Sequence, residues 1–498
     1  MTHHHTGSSD AETSTVRLIG IPTEREDPLK RRTDSLNSDR ARWLRDALIQ
    51  DNRDLLARAP DDTAGKLRKM ASSPYTYFRG TAAIFWRDAV APDRETPTSY
   101  GAPPDHLTLL IGDPHPENIG SFHGKDDRIH IEFNDFDAST YGPYHLDARR
   151  LALGFFMLAA SSRDLRGDAA RIAGAVARGY ADEILAHVAG DAPTLFTFER
   201  GEGEAKAGAI LGDLIRRAER DGDAREELTE YAPVDGDARA MFYGELAAPE
   251  VEGVVRDHVD PVTYAERDLI DAIMVTYEQS LVASNDVSSR ALRVKGTSRR
   301  LGSGVSSYPV RRFYVLTEGL TDALDDDLLL ELKEALDPPL LSLQPDPDHA
   351  SNAERVVRHQ RALQARPDQD PWLGYARVDD LSFKVRHRTK YQKGIDVSRI
   401  VQEVAEGDYA LDAVLELATQ SGHLLAASHV RAPTSRGEHA LPMIAAAIGD
   451  DADGFVTETT SFATSYGAQT LNDYDILRDY ISHHGDALGF LTSPPLEP

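Results

Sequence analysis

Residues 107–122 read LTLLIGDPHPENIGSF, and residues 131–139 read IEFNDFDAS. In each stretch a short apolar run of β-type residues breaks off into a knot of acids and amides. Runs this short, bounded by Gly, Pro and Asp, read as strands rather than helices. Paired as strands of one hairpin, they would bring Asp113, Asn118 and Asp135 to the same edge. Any fold for this chain must therefore hold a small sheet whose end carries polar side chains, in a chain whose other patterns are largely helical. The expected class is α+β.

The patterns around that sheet divide the chain. Residues 1–35 are polar and charge-clustered, as expected of a flexible tail. Residues 36–70 carry the apolar stripe of a helix, with Trp43, Leu44, Ala47 and Leu48 on one face. LDARRLALGFFMLAASSR predicts a strong helix, and the region 36–285 is expected to be mostly helical. The character changes at 286. RALRVKGTSRRLGSGVSSYPVRRFYVL predicts a hairpin around a Gly/Ser-rich turn, LLLELKEAL a strand or a helix, SNAERVVRHQRAL a helix, and YARVDDLSFKVRHRTKY two strands. Residues 286–392 are thus expected to form a β-rich lobe, and 393–498 a helical segment.

Composition removes several chemistries. The chain has no cysteine, which excludes disulfides, zinc–thiolate sites and thiol nucleophiles. Its formal net charge is -27, so nucleic acid is not an expected partner. No run approaches the roughly 18 apolar residues of a membrane span. The start of the chain lacks a charged-then-apolar signal pattern, so a cytoplasmic location is expected.

The polar knots fit phosphoryl transfer. Magnesium takes oxygen ligands, commonly carboxylates with phosphate oxygens and water, and transfer to a hydroxyl needs a carboxylate that orients the acceptor. Asp113 is the candidate for the acceptor, and Asn118 and Asp135 for the metal, with Glu132 as an alternative metal-binding acid. The Asp-to-Asn step of 113 to 118 resembles the protein-kinase signature, and NDFD resembles its D-F-G element with Asp137 in place of Gly. GDPHPEN looks closest to the loop of aminoglycoside- and choline-type kinases. His115 is expected to brace the loop. Asp147 is expected to cap its helix or brace the same loop.

A kinase also needs a Gly-rich turn over the phosphates and a lysine on a nearby strand. Before Asp113 only helical patterns and FRGTAA occur. Downstream, Gly302, Ser303 and Gly304 lie between two β-type runs, Lys333 lies in LLLELKEAL, and Glu354 in the next helix is a candidate partner for that lysine. GHLLAASHVRA resembles the helix that precedes the catalytic loop in kinases. The order implies a circularly permuted, kinase-like two-lobe fold, with the catalytic loop early in the chain and the nucleotide lobe later.

Together KMASSPYTYFRGTA, IGDPHPENIGSF, FNDFDASTYGPYHLDARRLAL, LELKEA, RVVRHQRALQ and LLAASHVRA resemble the prokaryotic family known as domain of unknown function 2252, from about residue 30 to the C-terminus. That family is similar to the protein-kinase-like superfamily. The resemblance implies roles for Asp113, Asn118, Asp135, Gly302, Gly304 and Lys333. Two departures stand out. The family's G-x-G-S-x-G turn is RLGSGVSS here, and its Q-L-R-D-x-K block is KVRHRTK, without the Asp. The expected activity is an ATP- and magnesium-dependent phosphotransferase acting on a small hydroxylated acceptor. The alternatives are a pseudokinase-type nucleotide- or partner-binding module, nucleotidyl transfer to protein and, ranked lowest, a metal-dependent phosphoesterase. The last would need histidine ligands that SHHGD and GHLLAASH do not convincingly supply.

Overall fold

Pro60 and Ser73-Pro74 shape the first helices. A proline has no N–H to give and is preset for the first turn, so it starts helices rather than continuing them. The helix expected across 36–70 is three, α1 (Asp39–Asp51), α2 (Arg53–Arg58) and α3 (Pro60–Met70), the last of them started by Pro60. Ser73 Oγ then caps α4 (Pro74–Gly80) by accepting from Thr76 N, and α5 (Ala82–Val90) follows. The structure, a computed structural model, describes residues 38–488 except 92–93, 95, 105, 192–195, 203–205, 247–256, 283–288, 303, 306–307, 309, 339–348, 368–369 and 486–487. The expected tail over 1–35 and Ser303 lie outside the described residues.

The two apolar runs of the opening stretch both form strands, but they do not pair with each other. β1 (Thr108–Leu110) pairs antiparallel with β4 (Thr140–Gly142), and β2 (Ile119–His123) with β3 (Ile129–Phe133). Register is the reason. Ile119 faces Phe133 at the end of the β2–β3 ladder, so the loop entering β2 and the loop leaving β3 emerge side by side. Behind them α6 (Tyr144–Ala160), α7 (Ala169–Ala189), α8 (Leu411–Arg431) and α9 (Ala452–His484) bury Leu151, Phe155, Ile172, Val176, Leu425 and Phe455 in the main core. None of the described helices is long and apolar enough to cross a membrane.

A second sheet of seven antiparallel strands begins at Gly244, ahead of the compositional change at 286. Its strands are β5 (Gly244–Glu245), β6 (His258–Asp260), β7 (Val294–Leu301), β8 (Arg312–Thr317), β9 (Leu328–Glu334), β10 (Gly374–Val378) and β11 (Leu381–His387). The spatial order is β10-β11-β9-β8-β7-β6-β5. LLLELKE is thus a strand, and strand alternation sorts its side chains. Phe313, Val315, Leu330, Leu332, Phe383 and Val385 face the helix Tyr264–Val282 through Ile270, Ile273 and Tyr277. The alternate positions on the same strands are Arg312, Tyr314, Glu331, Lys333, Lys384 and Arg386, and these line a cleft. The segment leaving β11 runs along β2: Ile395 N donates to Ile119 O at 2.9 Å, and Ser121 Oγ donates to Tyr391 O at 2.6 Å. The polar face of the large sheet is thereby held over the ends of β2 and β3.

Candidate active site

The cleft has a volume of about 500 Å³ and lies between the polar face of the sheet, the 112–118 and 134–138 loops, and the N-terminal helices. Gly112 sets the first loop. Its φ is +87°, and a Cβ there would stand 2.0 Å from Ala138 O. Only glycine fits both the left-handed backbone and the close approach. Asp147 fixes the loop from behind. Fully buried, its carboxylate accepts from Ile111 N at 2.7 Å and from Gly112 N at 3.1 Å, and meets His429 Nε2 at 3.2 Å. Tyr180 Oη lies 2.8 Å from His429 Nδ1, and Trp86 Nε1 donates to Gly112 O at 2.8 Å. Asp147 is a brace, not a cleft residue.

Asn118 joins the two loops. Its Nδ2 donates to Asp113 O at 3.1 Å and to Asp135 O at 3.0 Å, while Oδ1 accepts from Asp135 N at 2.7 Å. Both amide donors are used, and one Oδ1 lone pair is left. Asp113 receives Arg150 Nε at 2.8 Å. Burial raises the Asp113 pKa, with Arg150 and Arg79 opposing it, the direction that strengthens a carboxylate as a base. Arg150 itself is 1% exposed, stacks 3.8 Å from the Phe78 ring centroid and donates to Phe78 O. Sequence reading missed Arg150 and Arg79. The signal for the former was a double arginine inside the apolar stripe of LDARRLALGFF.

Lys333 crosses the cleft. Its Nζ is 2.5 Å from Asp137 Oδ2 and 3.6 Å from Asp135 Oδ2, so residues about 200 positions apart in sequence meet at one point. Burial lowers the lysine's pKa, but the two aspartates outweigh it and the net shift is upward. For Asp135 burial acts to raise the pKa, yet Lys333, Lys384 and Arg386 hold it well below the carboxylate range. Its side chain stays 49% exposed toward the cleft although protein charges crowd it. On the same strand as Lys333, Glu331 lies between two cations, accepting Arg386 Nε at 2.6 Å and lying 3.3 Å from Arg312 Nε. Lys384 is 5% exposed and has no ion-pair partner among the described residues; burial pushes its pKa down to about 8.

Glu354 does not meet Lys333. It lies in the first turn of the helix Asn352–Leu363, where it accepts from Ala350 N and pairs with Arg358 at 2.6 Å. First-turn acids are stabilised by the free N–H groups of their own helix, which accounts for this placement. The neighbouring Arg355 makes the link instead, donating to Asp137 O, Ser139 O and Leu336 O. Gly302 (φ +81°) and Gly304 (φ +85°) sit in the β7–β8 turn; Gly304 lines the cleft, and Lys69 Nζ donates to Gly302 O at 3.1 Å. His115 is buried and its Nδ1 has no hydrogen-bond partner among the described residues; burial holds its pKa far below the usual imidazole value, so the ring is neutral. Glu132 points away from the cleft to Ala365 N at 2.9 Å and Arg431 at 3.7 Å, whereas Asp135 lines the cleft.

For a hard cation, the ligands on offer are Asp135, Asp137 and the spare lone pair of Asn118, all oxygens. The Lys333 ammonium already lies against both carboxylates, so a cation bound there would share them with it. Among the described residues, three acidic or imidazole groups reach metal-ligating proximity at Glu403, Glu406 and Asp408, and no histidine joins Asp113 in such a group. That last finding gives no support to the phosphoesterase alternative.

No curated protein and no solved structure matches this chain. A family model described as "Uncharacterized protein conserved in bacteria (DUF2252)" matches residues 58–480, a span that holds the 112–118 loop, Asp135, Asp137 and the strand of Lys333. The match covers most of the chain, and the protein belongs to that family.

Proposed function

We propose that this protein is an ATP- and magnesium-dependent phosphotransferase with a kinase-like two-lobe arrangement in permuted chain order. The observation that carries the reading is the contact of Lys333 with Asp135 and Asp137 across the cleft. A sheet lysine opposite the acids of a D-F-D element, beside an Asp–Asn loop, is the combination phosphoryl transfer needs. Gly304 and the cationic sheet face add phosphate-binding capacity in a chain whose net charge is otherwise strongly negative.

In this reading Lys333 and Lys384 hold phosphate oxygens. Asn118, Asp135 and Asp137 would hold magnesium, which when bound neutralises charge on the transferring group. Asp113 accepts the proton of the acceptor hydroxyl. The acceptor oxygen forms a bond to the γ-phosphorus, the bond from that phosphorus to the β,γ-bridging oxygen breaks, and ADP leaves. Thermal-shift titration with ATP, with and without magnesium, tests this. ATP with magnesium should raise Tm, as a ligand that binds only the folded state must. Asp135→Ala should abolish the magnesium-dependent part. No shift at millimolar ATP in either low or high salt would sink the proposal.

A second reading, a nucleotide-binding module without turnover, is favoured by one feature. Arg150 pairs directly with Asp113 and competes for the lone pairs a base must use. Magnesium-dependent ATP binding without ADP release across an acceptor screen would select it.

A further inference from the structure

The N-terminal helices close one end of the cleft, and they touch both parts that an acceptor must lie between. From α3, Lys69 donates to Gly302 O in the glycine turn, and Gly65 lies against Tyr308. From α4 and α5, Phe78 O receives Arg150, the partner of Asp113, and Trp86 holds Gly112. The cleft wall between these anchors carries Asp51, Asn52 and Lys66, with Leu48, Leu55 and Ile84 beside them.

Three features of this wall call for a ligand. Lys66 is 7% exposed, and its ammonium makes one hydrogen bond, to Asn52 Oδ1 at 2.8 Å, and no ion pair among the described residues. Two of its three N–H donors are therefore spare. Asp51 Oδ1 is held by Arg87 Nε at 2.8 Å, while its Oδ2 is buried without a hydrogen-bond partner among the described residues. Asp51 and Lys66 interact electrostatically without forming an ion pair, and both line the cleft. Buried polar atoms left this way are costly and call for a partner.

Resting on the phosphotransferase reading, we propose that this wall is the acceptor subsite and that it takes a neutral polyol, such as a sugar or a cyclitol, through two neighbouring hydroxyls. One hydroxyl donates to Asp51 Oδ2 and the other accepts from Lys66 Nζ, while the C–H face lies on the leucines. The charge pattern selects this class. An anionic group would satisfy Lys66 but be repelled by Asp51, and an amine would satisfy Asp51 but be repelled by Lys66. A neutral group that both donates and accepts serves both without a charge clash.

The test uses the full chain and four probes: glucose, myo-inositol, glucosamine and glucose 6-phosphate. Each is titrated by thermal shift without nucleotide, and by ADP release with ATP and magnesium. The neutral probes are expected to raise Tm and to stimulate ADP release. Lys66→Met and Asp51→Asn are each expected to raise the half-saturating polyol concentration at least about tenfold, the loss of one hydrogen bond to a charged group. If Lys66→Met does not fold, Asp51→Asn carries the comparison, since its amide oxygen can still receive Arg87. The proposal is overturned if neither neutral probe acts, if only glucosamine or glucose 6-phosphate acts, or if both variants respond like the parent. A polyol shift without nucleotide, together with no ATP response, would leave the subsite standing and remove the phosphotransferase reading alone.

Discussion

Glu132 illustrates how one side chain on the wrong face of a strand changes its chemistry. It sits on β3 only three residues before Asp135, yet strand alternation turns it to the face opposite Ile131 and Phe133, where it is buried against Ala365 and Arg431. Burial raises its pKa to about 7, against the opposing pull of Arg431. The folded chain therefore keeps a proton on Glu132 up to about pH 7, while the unfolded chain releases it near the ordinary value of 4.5. The folded state binds more protons in that window, so stability falls as pH rises through it. Glu132→Gln should flatten this dependence and gain on the order of 2 kcal/mol at pH 8 relative to pH 5. Arg431 keeps its hydrogen bonds to Leu363 O in the variant. Urea denaturation of both proteins at the two pH values reads the difference, and parallel behaviour would mean that Glu132 is charged in the fold.

At the scale of elements, the seven-stranded sheet has one apolar face and one face of charge. RFYVLT, LLLELKE and LSFKVRH each alternate between core and cleft residues, although the sequence alone left LLLELKE open between strand and helix. Its cost is concentrated where Lys333 and Lys384 stand directly opposite in register, like charge beside like charge. Burial lowers the Lys384 pKa to about 8 from 10.5, so the unfolded state binds more protons between those values and stability rises with pH there. Lys384→Met should therefore stabilise the protein at pH 7 by on the order of 2 kcal/mol, a gain that shrinks above pH 8. The same variant should weaken the thermal response to ATP. Higher Tm with an undiminished ATP response would show that Lys384 is not a ligand-binding cation.

Over the whole molecule, a few long-range hydrogen bonds hold the sheet over the loops. Arg355 is 2% exposed and reaches Asp137 O at 2.9 Å and Leu336 O at 3.2 Å, as well as Ser139 O. Arg355→Ala would take this donor from the buried Ser139 carbonyl and from the partly buried carbonyls of Asp137 and Leu336, and should cost about 2–4 kcal/mol. Hydrogen exchange should rise first in 135–142, ahead of the strands of the large sheet. Uniform acceleration across the chain would show instead that loop and sheet open as one unit.

Sequence alone determined the elements and much of the loop chemistry. Apolar periodicity located the helices, alternation the strands, and the Asp-to-Asn step the 113–118 loop, because each depends on neighbours a few residues apart. Asp113, Asn118, Asp135 and Lys333 were legible as a set for that reason. Partnership was not. The pairing of β1 with β4 and of β2 with β3, the choice of Asp135 over Glu132 for the cleft, the turn of Glu354 toward its own helix, and the placement of Arg150 on Asp113 were decided by tertiary packing. A side chain's charge is local information, but its partner is set by which surfaces bury each other, and only the folded chain brings those surfaces together.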